Sequence, residues 1–247
     1  METIIEVKNL SKSFGEKQAV KNLSFNLKPG SIVGFIGPNG AGKTTTMRML
    51  SGIIAPDEGT AIVNGFDIQE EPLDAKKEFA FIADNPNAFL TLTGNEYINF
   101  MCNIYDVPKD VRPARLQELA EEMEMSDELS NRIETYSHGM RQKIHIIAAL
   151  MHNPNFWIMD EPMTGLDPQA SYLLKRRMRK HADAGNVVFF STHVLEVAEK
   201  LCDQILIINK GELYYSGTLP ELKVMYPDLS LEEIFLTVTE SKVLGQS

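Results

Sequence analysis

Residues suited to chemistry on phosphates stand out first in this 247-residue chain. The run Gly37-Pro38-Asn39-Gly40-Ala41-Gly42-Lys43-Thr44 fits the pattern G-x-x-x-x-G-K-[ST]. Glycines in such a loop let backbone N–H groups, here of Asn39, Gly40, Ala41 and Gly42, converge on a β-phosphate. The helix that the loop opens adds partial positive charge. Lys43 supplies a point charge for the β and γ oxygens. The Thr44 hydroxyl suits Mg²⁺, and Thr45 is in reach of the α-phosphate. Further along, Phe156-Trp157-Ile158-Met159-Asp160-Glu161 is an apolar strand ending in two acids. Sites on parallel sheets lie at the carboxyl ends of strands. Asp160 is therefore placed to hold Mg²⁺ through its hydration shell. Glu161 is placed to orient and deprotonate an attacking water. Alone, two acids after a strand would read as a solvated turn; the phosphate loop in the same chain gives them work.

A third stretch, Tyr136-Ser137-His138-Gly139-Met140, precedes an amphipathic helix. Ser137 beside His138 suggests a nucleophile and its base. Adjacent loop residues rarely face each other, however, and no orienting acid is implied, so a catalytic pair is the weaker reading. The helix that follows is apolar at Ile144, Ile147, Ala148 and Met151 and opens at this loop. Ser191-Thr192-His193 follows an apolar strand, which places His193 at the same sheet edge as Glu161.

These residues need elements to hold them. Alternation and apolar runs predict strands at Ile4–Leu10, Asn22–Leu27, Ser31–Ile36, Thr60–Val63, Phe79–Ala83, Phe156–Met159, Val187–Ser191, Ile205–Ile208 and Glu212–Ser216. Asn64-Gly65 marks a hairpin. Helical spacing predicts Lys43–Leu50, Glu96–Asn103, Ala114–Met123, Asp127–Ile133, Met140–Met151, Pro168–Ala182, Val194–Leu201, Leu219–Met225 and Leu231–Thr239. Strand–helix alternation interrupted by an all-helical block predicts a parallel α/β core with an inserted helical subdomain.

Composition sets limits. The net charge of −10 makes the chain a poor partner for nucleic-acid phosphates. Its two cysteines, Cys102 and Cys202, have no metal-ligand spacing and read as reduced thiols. The alternating N-terminus has no signal-peptide character. No apolar run approaches the ~20 residues of a membrane span, so a membrane role must come through a partner chain.

Taken together and in order, these motifs resemble the ATP-binding subunit of an ABC transporter, from about Ile4 to Thr239. The resemblance implies a P-loop NTPase (RecA-like) α/β core with an antiparallel β subdomain and an inserted α-helical subdomain. The expected division is 1–84 with 153–218 for the core, 85–152 for the helical part and 219–247 for short C-terminal helices. By resemblance, Phe14 stacks on adenine with Val20 beside it, and the loop through Thr45 is Walker A. Tyr136 to Met140 is the signature loop, and Gly165-Leu166-Asp167 the D-loop, with Asp167 contributing to the nucleotide site. His193 is the switch histidine. Two such domains would pack head to tail, so that Ser137 and the Gly139 N–H grip the γ-phosphate of ATP bound to the other.

Two departures from the family pattern stand out. His138 replaces a glycine, as in drug- and antibiotic-export members. Asp84 stands where a Mg²⁺-sensing glutamine is usual; a shorter, charged ligand can still reach Mg²⁺ through water.

The resemblance further implies ATP and Mg²⁺ as ligands. It implies a second ATP-binding subunit as homo- or heterodimer, and a separate integral membrane permease subunit holding the chain at the cytoplasmic face of the membrane. No nucleic-acid partner is expected. The rival, a soluble ABC ATPase of translation or DNA maintenance, would carry two motif sets or a long coiled-coil insertion, and neither is present. Phe89, Leu90 and Leu92, in a segment rich in turn residues, read equally as a docking surface for the permease or as residues tucked under their loop. The basic run Lys175 to Lys180 reads as a solvated helix face.

Overall fold

The computed structural model describes residues 4–240; the outermost parts of the expected core and C-terminal segments, residues 1–3 and 241–247, lie outside the described residues. Ile5–Phe14 (β1) and Lys17–Leu27 (β2) form a long antiparallel hairpin turned at Gly15, whose φ is +60°. Sequence alternation alone ends β1 at Leu10 and begins β2 at Asn22. Register shifts after Val7 and Leu10, and positive φ at Asn9 and Asn22, break that alternation without breaking the pairing. Ser31–Ile36 (β3) is buried at every residue, as a strand covered on both faces must be. Lys43–Leu50 (α1) follows the phosphate loop. Glu58–Val63 (β4) turns at Asn64-Gly65, both with positive φ, into Phe66–Asp67 (β5). Pro72–Lys77 (α2), not expected from the sequence, starts on a proline, which suits a first helical turn. Phe79–Ile82 (β6) then enters the main sheet.

Between β6 and the next strand lie Gly94–Ile104 (α3), Arg112–Glu122 (α4) and His138–Leu150 (α5). The helix expected over Asp127–Ile133 is absent; a 3₁₀ turn covers Ile133–Thr135 instead. Extended Arg132 bridges to Thr93, and the Ile133 and Glu134 N–H groups donate to Leu92 and Leu90 carbonyls. Pairing with that neighbouring segment satisfies the backbone better than a short isolated helix would. Alternation then resumes with Phe156–Met159 (β7), Pro168–Asp183 (α6), Val187–Thr192 (β8), Leu195–Leu201 (α7), Gln204–Asn209 (β9) and Glu212–Thr218 (β10). Leu219–Met225 (α8) and Leu231–Glu240 (α9) complete the described chain.

Among the described residues these strands make two sheets, ordered β2-β1-β4-β5 and β10-β9-β3-β8-β7-β6. The first is antiparallel; in the second only β10 runs antiparallel to its neighbour. Phe25 of the small sheet packs on Phe35 and Phe189 of the large one, with ring centroids 5.2–6.4 Å apart across the trio. Phe35 and Phe189 are fully buried, and each such side chain contributes about 1.5–3 kcal/mol. Register fixes what matters for chemistry. Ile36 pairs with Thr192, Ile82 with Met159, and Met159 with Phe190. Gly37, His193, Asp84 and Asp160 therefore leave their strands at one edge. No helix among the described residues is long and apolar enough to cross a membrane.

Candidate active site

The phosphate loop bends back over the carboxyl end of β3. Gly40 and Gly42 have φ of +78° and +113°, backbone that L side chains rarely adopt. A methyl group on Gly42 would also lie 2.6 Å from the Ala19 carbonyl oxygen. Lys43 is buried and its ammonium donates to the Gly37 carbonyl at 2.6 Å. Glu161 Oε1 lies 4.0 Å from that ammonium. Burial lowers the Lys43 pKa, while the Glu161 and Asp160 carboxylates push back.

Opposite the loop, Asp160 and Glu161 continue from β7 as a connected pair. The Ser191 hydroxyl donates to Asp160 Oδ1 at 2.6 Å and accepts from the Glu161 N–H at 2.8 Å. This serine on β8 thus fixes both acids, a role to which no local spacing in the sequence points. Glu161 itself has φ +47°, an uncommon conformation for a non-glycine residue. His193 Nδ1 stands 3.0 Å from Glu161 Oε2. Burial raises the Asp160 pKa; hydrogen bonds from Ser191 and Thr44 oppose the rise, and the neighbouring Asp84 and Glu161 charges add to it.

These groups converge on one cavity of about 290 Å³ lined by Phe14, Lys17, Ala19, Pro38, Asn39, Gly40, Gly42, Lys43, Thr44, Thr45, Asp84, Asp160 and Glu161. Phe14 ends β1, is half exposed at 53%, and carries the Lys12 ammonium 5.8 Å from its ring centre. Val20 and Ala41 are buried behind the loop rather than in the cavity, and Ala41 accepts from the Gly211 N–H. Lys17 and Ala19 line the wall instead; their place on the Phe14 hairpin was the available signal. His193 lines an adjoining cleft that shares Glu161.

Ser137, Gly139 and Asp167 are not among the lining residues. Ser137 caps α5 by accepting from the Met140 N–H at 3.3 Å and is exposed. Asp167 caps α6 through the Ala170 N–H at 2.8 Å and pairs with Lys143 at 3.3 Å. The Ala170 N–H first, then Lys143, hold its carboxyl below the ordinary range.

An all-oxygen donor set fits Mg²⁺: the Thr44 hydroxyl meets the Asp160 carboxylate, and Asp84 lines the same cavity. Mg²⁺ takes one or two carboxylates together with substrate phosphates rather than a protein-only cage.

The model of the ABC transporter family matches residues 20–164. An ABC-type transporter ATP-binding protein, EcsA of Bacillus subtilis (strain 168), is 35% identical over 240 residues, covering 96% of this chain and 97% of the relative. The linearmycin resistance ATP-binding protein LnrL of the same strain is 36% identical over 219 residues, covering 89% and 70%. A solved structure of the ATP-binding subunit of an ABC transporter superposes with a TM-score of 0.91 at 32% identity, covering 96% of this chain and 99% of that one. Matched by the family model over residues 20–164 and similar along nearly its whole length to such subunits, the chain belongs to the ABC transporter family as an ATP-hydrolysing, ATP-binding subunit.

Proposed function

We propose that the cavity binds ATP·Mg²⁺ and that Glu161 is the general base for its hydrolysis. The observation that carries this reading is the convergence of Lys43, Thr44, Asp84, Asp160 and Glu161 on one cavity, with His193 held 3.0 Å from the base. The backbone of Asn39 through Gly42 cradles the phosphates, and Lys43 swings from the Gly37 carbonyl to the β and γ oxygens. Thr45 lies next to the α-phosphate. Phe14 offers an open ring face for adenine, with Val20 shaping the wall from behind. Thr44 and Asp160, with Asp84 beside them in the cavity, would hold Mg²⁺, which would supply charge neutralisation on the phosphate oxygens. Glu161 draws the proton from the attacking water while His193 holds the carboxylate in line.

Ser137 and the Gly139 N–H serve a second ATP-binding subunit, closing on the γ-phosphate held by that partner's loop. Asp167 borders the same interface. Dimer closure on ATP and reopening after hydrolysis then drive a separate membrane subunit.

That subunit docks on the cleft of about 230 Å³ lined by Ile53, Phe79, Phe81, Met101 and Tyr105 among others, beside exposed Phe100 and Ile104 on α3. Held by that subunit, the chain would sit at the cytoplasmic face of the membrane. The division proposed is a core of 1–84 with 153–218, a helical part of 85–152 and a C-terminal part of 219–247. The resistance function named for LnrL favours export as the direction. Solubilisation in mild detergent tests the partnership: a stoichiometric multi-span protein should co-purify with the tagged chain. Recovery of the chain free of membranes and of any such partner would overturn it.

A further inference from the structure

We propose that His138 is a positioning residue: its ring sits on Gly165 and holds the loop 162–167 at a fixed height against the N-terminus of α5. A methyl group built on Gly165 would overlap that ring, with Nε2 at only 2.6 Å. A methyl on Gly139 would meet the Gly165 carbonyl oxygen at 2.7 Å. Backbone and ring thus close on the same glycine, whose φ of +79° suits no other residue well. One turn further on, buried Lys143 pairs with Asp167 and pins the end of the loop.

The loop is itself short and tied. The Thr164 N–H donates to the Glu161 carbonyl at 3.0 Å and the Leu166 N–H to the Met163 carbonyl at 3.2 Å. A displacement at Gly165 therefore passes through two tight turns to the backbone of Glu161. His138 lines neither the phosphate cavity nor the cleft of His193, so within this chain's own site its effect runs through the placement of the base. The functional consequence rests on the reading that Glu161 is the base and that the α5 N-terminus faces a partner's nucleotide.

The test compares His138→Gly, which removes the ring, with His138→Phe, which keeps a flat ring of similar reach. Steady-state hydrolysis and amide hydrogen exchange over residues 162–166 are measured on the full chain. In His138→Gly, kcat should fall on the order of tenfold or more while KM for ATP stays within about twofold. The Thr164 and Leu166 amides should exchange roughly tenfold faster, and His138→Phe should restore most of both effects. Unchanged exchange and kcat in His138→Gly would overturn the proposal. So would a raised KM without faster exchange, which would put the ring on the nucleotide. Failure of the Phe variant to rescue would also overturn it, since packing would then not be the cause. A separate control, Ser137→Ala in the Glu161→Gln background, reports on the partner-site reading alone. If ATP-driven dimerisation survives there, that reading fails, and the exchange data still decide whether His138 positions the loop.

Discussion

Burial and carboxylate neighbours make Asp160 an expensive residue to keep ionised in the nucleotide-free chain. Its folded pKa is raised above the unfolded value, so its contribution to stability is fullest at low pH and is lost as pH rises through the folded value. At neutral pH Asp160→Asn should therefore raise the melting temperature of the nucleotide-free chain. That difference should shrink as pH falls toward the ordinary carboxylate range, while hydrolysis is lost. Thermal unfolding at several pH values checks this, and a pH-independent difference would contradict the assigned cause. Lys43→Ala removes the buried ammonium and should weaken ATP binding by roughly tenfold to a hundredfold, the scale of a hydrogen bond to a charged group; equilibrium titration with a fluorescent nucleotide measures it. At this scale Lys43, Thr44, Asp160 and Glu161 were legible in the sequence because their spacing is tied to strand ends. Ser191 was not: it touches both acids only because β8 lies between β3 and β7, and strand order is not written in local spacing.

The elements were legible where period and caps agreed. α3 is an example: Thr93 and Glu96 form a reciprocal cap, and Tyr97 and Ile98 turn inward. Thr93→Ala should cost about 1 kcal/mol of stability, read from the denaturant midpoint, with the slope unchanged. Legibility failed where tertiary pairing overrode local pattern. The bulged hairpin of β1 and β2 hides its length, and the segment after α4 gives up helix to pair with residues 90–93. Phe89 shows the same tension. It stacks on Tyr97 at 4.9 Å yet keeps 43% of its surface exposed, while Leu90 and Leu92 pack against the core. The basic run on α6 is a tied surface rather than a free one, since Arg179 grips Asp203 with both terminal nitrogens and Arg177 pairs with Glu118 and Glu122.

For the molecule as a whole, the decisive feature is a division of the chemistry. The phosphate loop, Asp84, Asp160 and Glu161 share one cavity, whereas Ser137 and Gly139 lie outside it at the N-terminal end of α5. An exposed serine at a helix N-terminus suits a phosphate that arrives with another subunit. Whether the proposed second subunit is identical was not legible, because all the candidate motifs lie in one chain. The measurement that tests the account most directly is sedimentation velocity of Glu161→Gln with and without ATP·Mg²⁺. Hydrolysis in this variant should fall on the order of a hundredfold or more, so the closed state should accumulate. The account predicts that ATP, but not ADP, converts the variant to a dimer. A variant that binds ATP and stays monomeric, or that hydrolyses it at the parent's rate, would contradict it.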